Sequence, residues 1–424
     1  MLSLRWTKLS RLAAAAVVGA LFLVELPART WTSSDGTKTF EGELKSYDEA
    51  TGTVVVTMAG GKLVKFPQDK LSAEDIAFVK ENAKAAKPAA GGKPGVRVVK
   101  SGMDESKLLE RPDGKEADMS KPVQVFILLG QSNMVGLGKI SILEEAVKSK
   151  SKYPYLVDEA GAWIQRKDVR NVFVMASGNS PAKEQHNDWL SVSNRKNLGP
   201  ELGIGHCLGN AVESPVMLLK SCIGNRSLGW DLLPPGSEPY EFEGKPVPGY
   251  RGTPKDPKGN GEPVTGEWYA GCQYDGDIAA AKKALSELNK YYPGGKGYEV
   301  GGFFFWQGEK DGGNAAHAAK YEENLVRFIK SLRKDFESPN AKFVLATLGE
   351  AKKGSGGNGG KVLEGHLNVD GESGKYPEFK GNVATVYANP LSLGGSGNGH
   401  YGGNAETYMN VGEAMGKAMV KLLQ

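Results

Sequence analysis

The chain has 424 residues, 53 of them basic and 49 acidic, for a formal net charge of +4 at pH 7. That length supports two domains with a sizeable core in the larger one, and the near balance of charge without a basic stripe argues against a nucleic-acid partner. Three cysteines, Cys207, Cys222 and Cys272, allow at most one internal disulfide and exclude a disulfide framework.

At the start, residues 1–11 carry Arg5, Lys8 and Arg11 ahead of an apolar run over 12–24. This is the pattern of a secretory signal peptide, residues 1–28, cut near Ala28. The run is shorter than the roughly 20 residues of a membrane helix. No stable membrane span is expected after cleavage, and a secreted or periplasmic protein is.

Residues 29–82 read as a small β domain. A strand opens at Trp31, and others follow over 40–47, 54–58 and 63–66, with turns at Ser34-Asp35-Gly36 and Ala59-Gly60-Gly61-Lys62. Ser72 and Asp75 have capping-box spacing before a short helix. Arg29-x-Trp31, Asp35-Gly36 and Leu71-Ser72-x-x-Asp75 resemble the small Sla-type homology domain, which implies a barrel like the Src-homology-3 fold. No residue names a partner for it. Residues 83–121, rich in Lys, Pro, Ala and Gly, read as a flexible linker.

From residue 122 the pattern changes to alternating strands and helices. The nearly continuous apolar run 123–129 suits a strand covered on both faces, and it stops at Gly130-Gln131-Ser132-Asn133. Further strands are expected over 216–220, 300–305, 343–348 and 383–387. Helices are expected over 275–292, over 316–336, and from an N-cap at Asn404 to the end. Pro200 and Glu201 read as a helix start, with Glu201 near the positive helix end. The glycine-rich stretch 353–361 lacks a P-loop ending and reads as a mobile surface insertion. Alternation of this kind implies a three-layer αβα domain with a mainly parallel sheet, preceded by the small all-β barrel.

Chemistry-bearing residues gather at the ends of these strands. A serine at a strand end can be presented beside free backbone N–H groups, as a nucleophile and an oxyanion hole both require. A second polar cluster, Gln307, Glu309 and Asp311, ends the run 298–306, and His400 follows Gly397-Asn398-Gly399 before the last helix. A loop serine, an amide donor and a late histidine together fit a hydrolase. The other histidines, His186, His206, His317 and His366, are dispersed, and no Cys-x-x-Cys or His-x-x-x-His occurs. Neither metal nor cofactor is expected.

At these residues the chain, over roughly 120–424, resembles the SGNH-hydrolase superfamily, which is flavodoxin-like in fold. Within it the resemblance is to sialate O-acetylesterase-like enzymes that include carbohydrate esterase family 6. It implies that Ser132, in Gly130-Gln131-Ser132-Asn133-Met134, is the nucleophile and lends its own N–H to the oxyanion. Gly224, in Ile223-Gly224-Asn225-Arg226-Ser227, lends a second N–H, and Gln307, in Trp306-Gln307-Gly308-Glu309, a side-chain donor. His400 is the base. Gln131, Asn133, Arg226 and Trp230 are substrate-binding candidates, and an acetylated carbohydrate is the implied partner. The pattern departs at Gly397, where the family has an aspartate. Three arrangements remain open: a Ser-His dyad whose ring is oriented by a carbonyl of 394–397, a carboxylate reaching across from Glu309 or Asp311, or a degenerate site that only binds sugar. The dyad is the expected one.

Overall fold

The computed structural model of the protein describes residues 29–48, 52–58, 63–82, 98–193, 195–259 and 267–424. The expected signal peptide and residues 83–97 of the expected linker lie outside the described residues. The chain divides into two compact units between residues 90 and 91.

In the first unit, β1 (Arg29–Thr32), β2 (Thr39–Asp48), β3 (Thr53–Met58) and β4 (Leu63–Pro67) form an antiparallel sheet in sequence order, followed by α1 (Ala73–Asn82). Two-residue alternation turns Val54 and Val56 inward beside the fully buried Trp31, whose indole N–H donates to Gly42 O at 2.9 Å. Asp75 accepts from Arg29 (2.6 Å), from the Thr32 N–H (2.7 Å) and from Ser72 Oγ (3.0 Å), so one buried carboxylate ties strand to helix. The expected barrel is not closed among the described residues. β1 is only four residues long, and the unit's ends meet through a bridge between Ser33 and Leu71 rather than through a β1–β4 ladder.

The second unit begins where a linker was expected. From residue 98 the chain is packed: Val99 bridges to Val212, Leu108 is buried, and Asn210 Nδ2 donates to the carbonyls of Lys107, Leu108 and Glu110. Scattered apolar residues in a Lys- and Pro-rich stretch are enough to dock it when a receiving surface exists. The elements then run β5 (Val123–Gly130), α2 (Ser132–Val135), β6 (Gly138–Lys139), α3 (Ile140–Lys150), β7 (Val169–Met175), β8 (Lys183–Trp189), β9 (Asn197–Leu198), α4 (Glu201–Ala211) and β10 (Val216–Ser221). A hairpin of β11 (Tyr240–Phe242) and β12 (Lys245–Val247) precedes α5 (Cys272–Ser286), α6 (Leu288–Tyr291) and β13 (Tyr298–Trp306). The chain ends with α7 (Glu309–Gly312), α8 (Ala315–Ala319), α9 (Tyr321–Asp335), β14 (Lys342–Ala346), α10 (Gly357–Asn368), β15 (Val383–Val386) and α11 (Ala405–Leu423).

Seven strands form one sheet in the order β15-β14-β13-β5-β10-β7-β8, parallel except for β8 at the edge. Alternate residues of each strand face opposite layers. Phe126, Leu128, Leu218 and Phe304 pack against Leu202 and Leu208 of α4 and Met409 and Met415 of α11, whereas Ile127, Leu219, Phe303 and Phe305 pack against Ile278 of α5 and Leu325 and Phe328 of α9. This is a three-layer arrangement, and the methionines of α11 are core. Among the described residues no helix is long and apolar enough to cross a membrane. Cys207, Cys222 and Cys272 are buried free thiols. The stretch 353–361 is not all loop: α10 starts at Gly357 because Val362, Leu363 and His366 bury against the sheet layer, and that packing outweighs the poor helix propensity of its glycines.

Candidate active site

β5 lies between β10, which continues toward β7, and β13, which leads the other way. At such a reversal of strand order a crevice opens beyond the carboxyl ends. A cleft of about 690 Å³ lies there, and its lining includes Gln131, Ser132, Gly224, Asn225, His317 and His400.

Each wall has a local cause. The chain leaves β5 through Gly130 at φ +142°, where a Cβ would stand 2.3 Å from the Trp306 carbonyl oxygen, so only glycine permits the turn. Ser132 then opens the single-turn helix α2, and its Oγ lies 2.9 Å from His400 Nε2. Gly224 follows β10, and a Cβ on it would lie 3.4 Å from Ser132 Cβ. The backbone N–H groups of Ser132 and Gly224 donate to no other described residue. Two free N–H groups beside a hydroxyl paired with an imidazole suit a tetrahedral oxyanion.

His400 sits in a strained segment. His400 and Tyr401 have φ of +53° and +52°, a region that costs non-glycine residues about 1–2 kcal/mol each. Packing offsets this: the buried Tyr401 ring stacks on Trp306, with centroids 5.9 Å apart, and meets Tyr408 edge-on at 6.0 Å. Strain that surroundings over-determine in this way is characteristic of functional loops.

Gln307 does not reach the cleft. It is fully buried, its Nε2 donates to Arg226 O (2.9 Å) and Asp311 Oδ2 (2.5 Å), and the Tyr321 hydroxyl donates to its Oε1 (2.9 Å). With both amide hydrogens committed, it braces the loop after β10 instead of facing an oxyanion. Asp311 has the same task, accepting from the Leu228 and Gly229 N–H groups at 2.8 Å each. Arg226 turns from the cleft to Gln273 Oε1 (3.1 Å) and Ser177 Oγ (3.3 Å), with Trp268 over its guanidinium. Trp230 is likewise outside the lining. Asn133 is buried below Ser132, donating to Glu309 and to Gly397 O (3.1 Å) and accepting from the Tyr408 hydroxyl (3.0 Å). Of the substrate-binding candidates only Gln131 lines the cleft.

The missing aspartate is not replaced by a direct contact. Neither Glu309 nor Asp311 bonds to His400, and its Nδ1 has no hydrogen bond to a described residue. Gly397 O is occupied by the His400 backbone N–H (2.9 Å) and by Asn133. Residues with no recognisable local signal complete the lining: Asn225, at φ +58°, with Lys310, Asn314 and His317. Asparagine's tolerance of left-handed backbone was the one available hint.

Burial pushes the Glu309 carboxyl up to about 7, helped by the charges of Glu350 and Asp311 and opposed by the Asn133 amide; burial likewise raises Asp311 to about 6. A carboxyl raised on folding contributes stability that is complete below its unfolded value, 4.5 for Glu309, and is lost as pH climbs through about 7. Unfolding free energy should therefore fall between pH 5 and 8. Glu309→Gln should flatten that fall by as much as one proton, about 1.4 kcal/mol per pH unit at its steepest. Denaturant titrations at four pH values check this, and parallel curves for the two proteins would refute it.

No curated protein matches the chain. Among solved structures it is similar to a carbohydrate acetylesterase from Xanthomonas citri, XAC1771, at 14% identity over 69% of this chain and 54% of that one, with a TM-score of 0.43. It is also similar to an Arabidopsis thaliana protein, at 20% identity over 70% of this chain and 98% of that one, TM-score 0.39. A third is NanS, at 13% identity over 64% and 78%, TM-score 0.36. Residues 259–421, which contain Gln307, Glu309 and His400, match the family described as carbohydrate esterase, sialic acid-specific acetylesterase.

Proposed function

We propose that the protein is an exported serine esterase that removes O-acetyl groups from carbohydrates. The observation that carries this reading is the 2.9 Å contact of Ser132 Oγ with His400 Nε2, beside the free N–H groups of Ser132 and Gly224. The match of residues 259–421 supports the carbohydrate ester as substrate, and the basic and apolar start of the sequence supports export.

Ser132 Oγ attacks the acetyl carbonyl while His400 Nε2 takes its proton. The two N–H groups hold the oxyanion, and the intermediate collapses as His400 returns the proton to the departing sugar oxygen. Water, deprotonated by the same nitrogen, then attacks the acetyl-serine, and the bond to Ser132 Oγ breaks as His400 returns the proton to that oxygen and acetate leaves. Gln307, Asp311 and Asn133 act by holding the loops that carry these groups.

The test is acetate release from a short-chain aryl acetate and from a panel of acetylated glycans, with Ser132→Ala as control. Serine-dependent release from a glycan supports the reading. A folded protein that binds acetylated glycan without releasing acetate would instead support a sugar-binding role, as the departure at Gly397 would allow.

A further inference from the structure

The space beside Gly397 is crowded with oxygen atoms. A Cβ placed there would stand 2.8 Å from Glu309 Oε1, 2.8 Å from Glu350 Oε2 and 3.1 Å from the Tyr401 hydroxyl. Of these, Glu309 is committed to Gln131 (2.6 Å) and Asn133. The Tyr401 hydroxyl is buried, with the Ser392 hydroxyl beside it. Glu350 comes from the loop after β14, its residue exposed, and its Oε2 accepts the Gly397 N–H at 2.9 Å. Gly397 opens the turn that carries the histidine, because its carbonyl accepts the His400 N–H at 2.9 Å.

We propose that Glu350 is a positioning residue for His400, fixing the histidine turn through the Gly397 N–H in place of a carboxylate at position 397 itself, and that residue 397 must be glycine to admit it. The inference rests on the esterase reading. The tether fixes the start of a turn that holds two non-glycine residues in left-handed backbone, where the packing of Tyr401 fixes its end. A charged acceptor on a backbone N–H is stronger than a neutral pair, and a misplaced base is costly in rate. Glu350 acts through the turn, since no hydrogen bond joins it to the imidazole.

The experiment compares the full chain with Glu350→Ala, Glu350→Gln, Gly397→Ala and the double variant Glu350→Ala/Gly397→Ala. Glu350→Ala should lower kcat about 10- to 100-fold with KM little changed. Glu350→Gln keeps an acceptor oxygen and should stay within about 3-fold of the parent. Gly397→Ala alone should lower kcat because the methyl displaces Glu350, and should cost less in the Glu350→Ala background. Hydrogen exchange over residues 394–403, read by mass spectrometry, should quicken in Glu350→Ala and not in Glu350→Gln. The exchange arm does not depend on turnover. A parent protein that releases no acetate from any ester refutes the esterase reading, whereas unchanged exchange in Glu350→Ala refutes the positioning role. Normal kcat in Glu350→Ala, or independent effects in the double variant, would also overturn it.

Discussion

Ser132→Ala should reduce the rate of acetate release by about four orders of magnitude or more, leaving a residue of catalysis from the oxyanion donors and binding. The expectation follows from the role of one atom. Ser132 Oγ is the group that His400 Nε2 contacts, so its loss removes the covalent route and also deprives the imidazole of its proton donor. Two N–H groups would remain for a carbonyl oxygen, with nothing placed to attack. His400→Ala should cost a similar factor, and the double variant little more than either alone, because residues acting as a unit are not additive. Stability should hardly move: the hydroxyl faces the cleft and its removal buries no unpaired group, so Tm should stay within about 2 °C. A Ser132→Ala protein that keeps more than a tenth of parental activity would remove serine from the mechanism.

How much of this was legible in sequence depends on whether a position is set by local pattern. Ser132 stood out because it follows a buried strand at its carboxyl end, and His400 because it precedes the capped helix α11, where Asn404 accepts from the Thr407 N–H, whereas Gly224, which also follows a buried parallel strand, came from the family resemblance alone. The sequence also showed an amide, Gln307, at the end of β13. It could not show where that amide points, since Arg226, Asp311 and Tyr321 decide this from positions as distant as 81 residues. Glu350 was invisible for the same reason, standing 47 residues from Gly397 in an exposed loop. β8 was missed because its sequence, Lys-Glu-Gln-His-Asn-Asp-Trp, is a polar edge strand with no apolar alternation. The two helices expected over 275–292 and 316–336 were real in kind but broken, at Glu287 and at Lys320. Glu201 does open α4 as a first-turn charge, as its place after Pro200 implies, but its burial in an ion pair with Lys220, 19 residues away, had no local signal.

That ion pair leads to the second large effect. Lys220→Met should destabilise the larger unit by about 3–5 kcal/mol. Lys220, 1% exposed, donates to Glu201 Oε2 at 2.7 Å and to Val135 O at 2.9 Å. Burial alone would raise the Glu201 carboxyl, but Lys220 and then Arg195 hold it down at about 2. Methionine would fill the space of the lysine stem while stranding that carboxylate, with Arg195 at 3.3 Å and the Gly199 N–H at 3.1 Å as partners. The sign with pH distinguishes this from lost packing. A depressed carboxyl contributes stability that is full above its unfolded value of 4.5 and is lost as pH falls through about 2. The deficit of Lys220→Met should therefore be largest at neutral pH and shrink below pH 4, whereas a packing defect would persist. Adding Glu201→Leu should recover most of the loss, because replacing both partners of a buried pair by apolar groups is often neutral or better. Denaturant unfolding at pH 7 and pH 3.5 decides it, and a deficit that Glu201→Leu deepens would show the pair is not the cause. The recovered double variant also separates stability from function. Val135 closes the turn that Ser132 opens, so if the pair serves to fix that turn, the double variant should fold well yet turn over slowly.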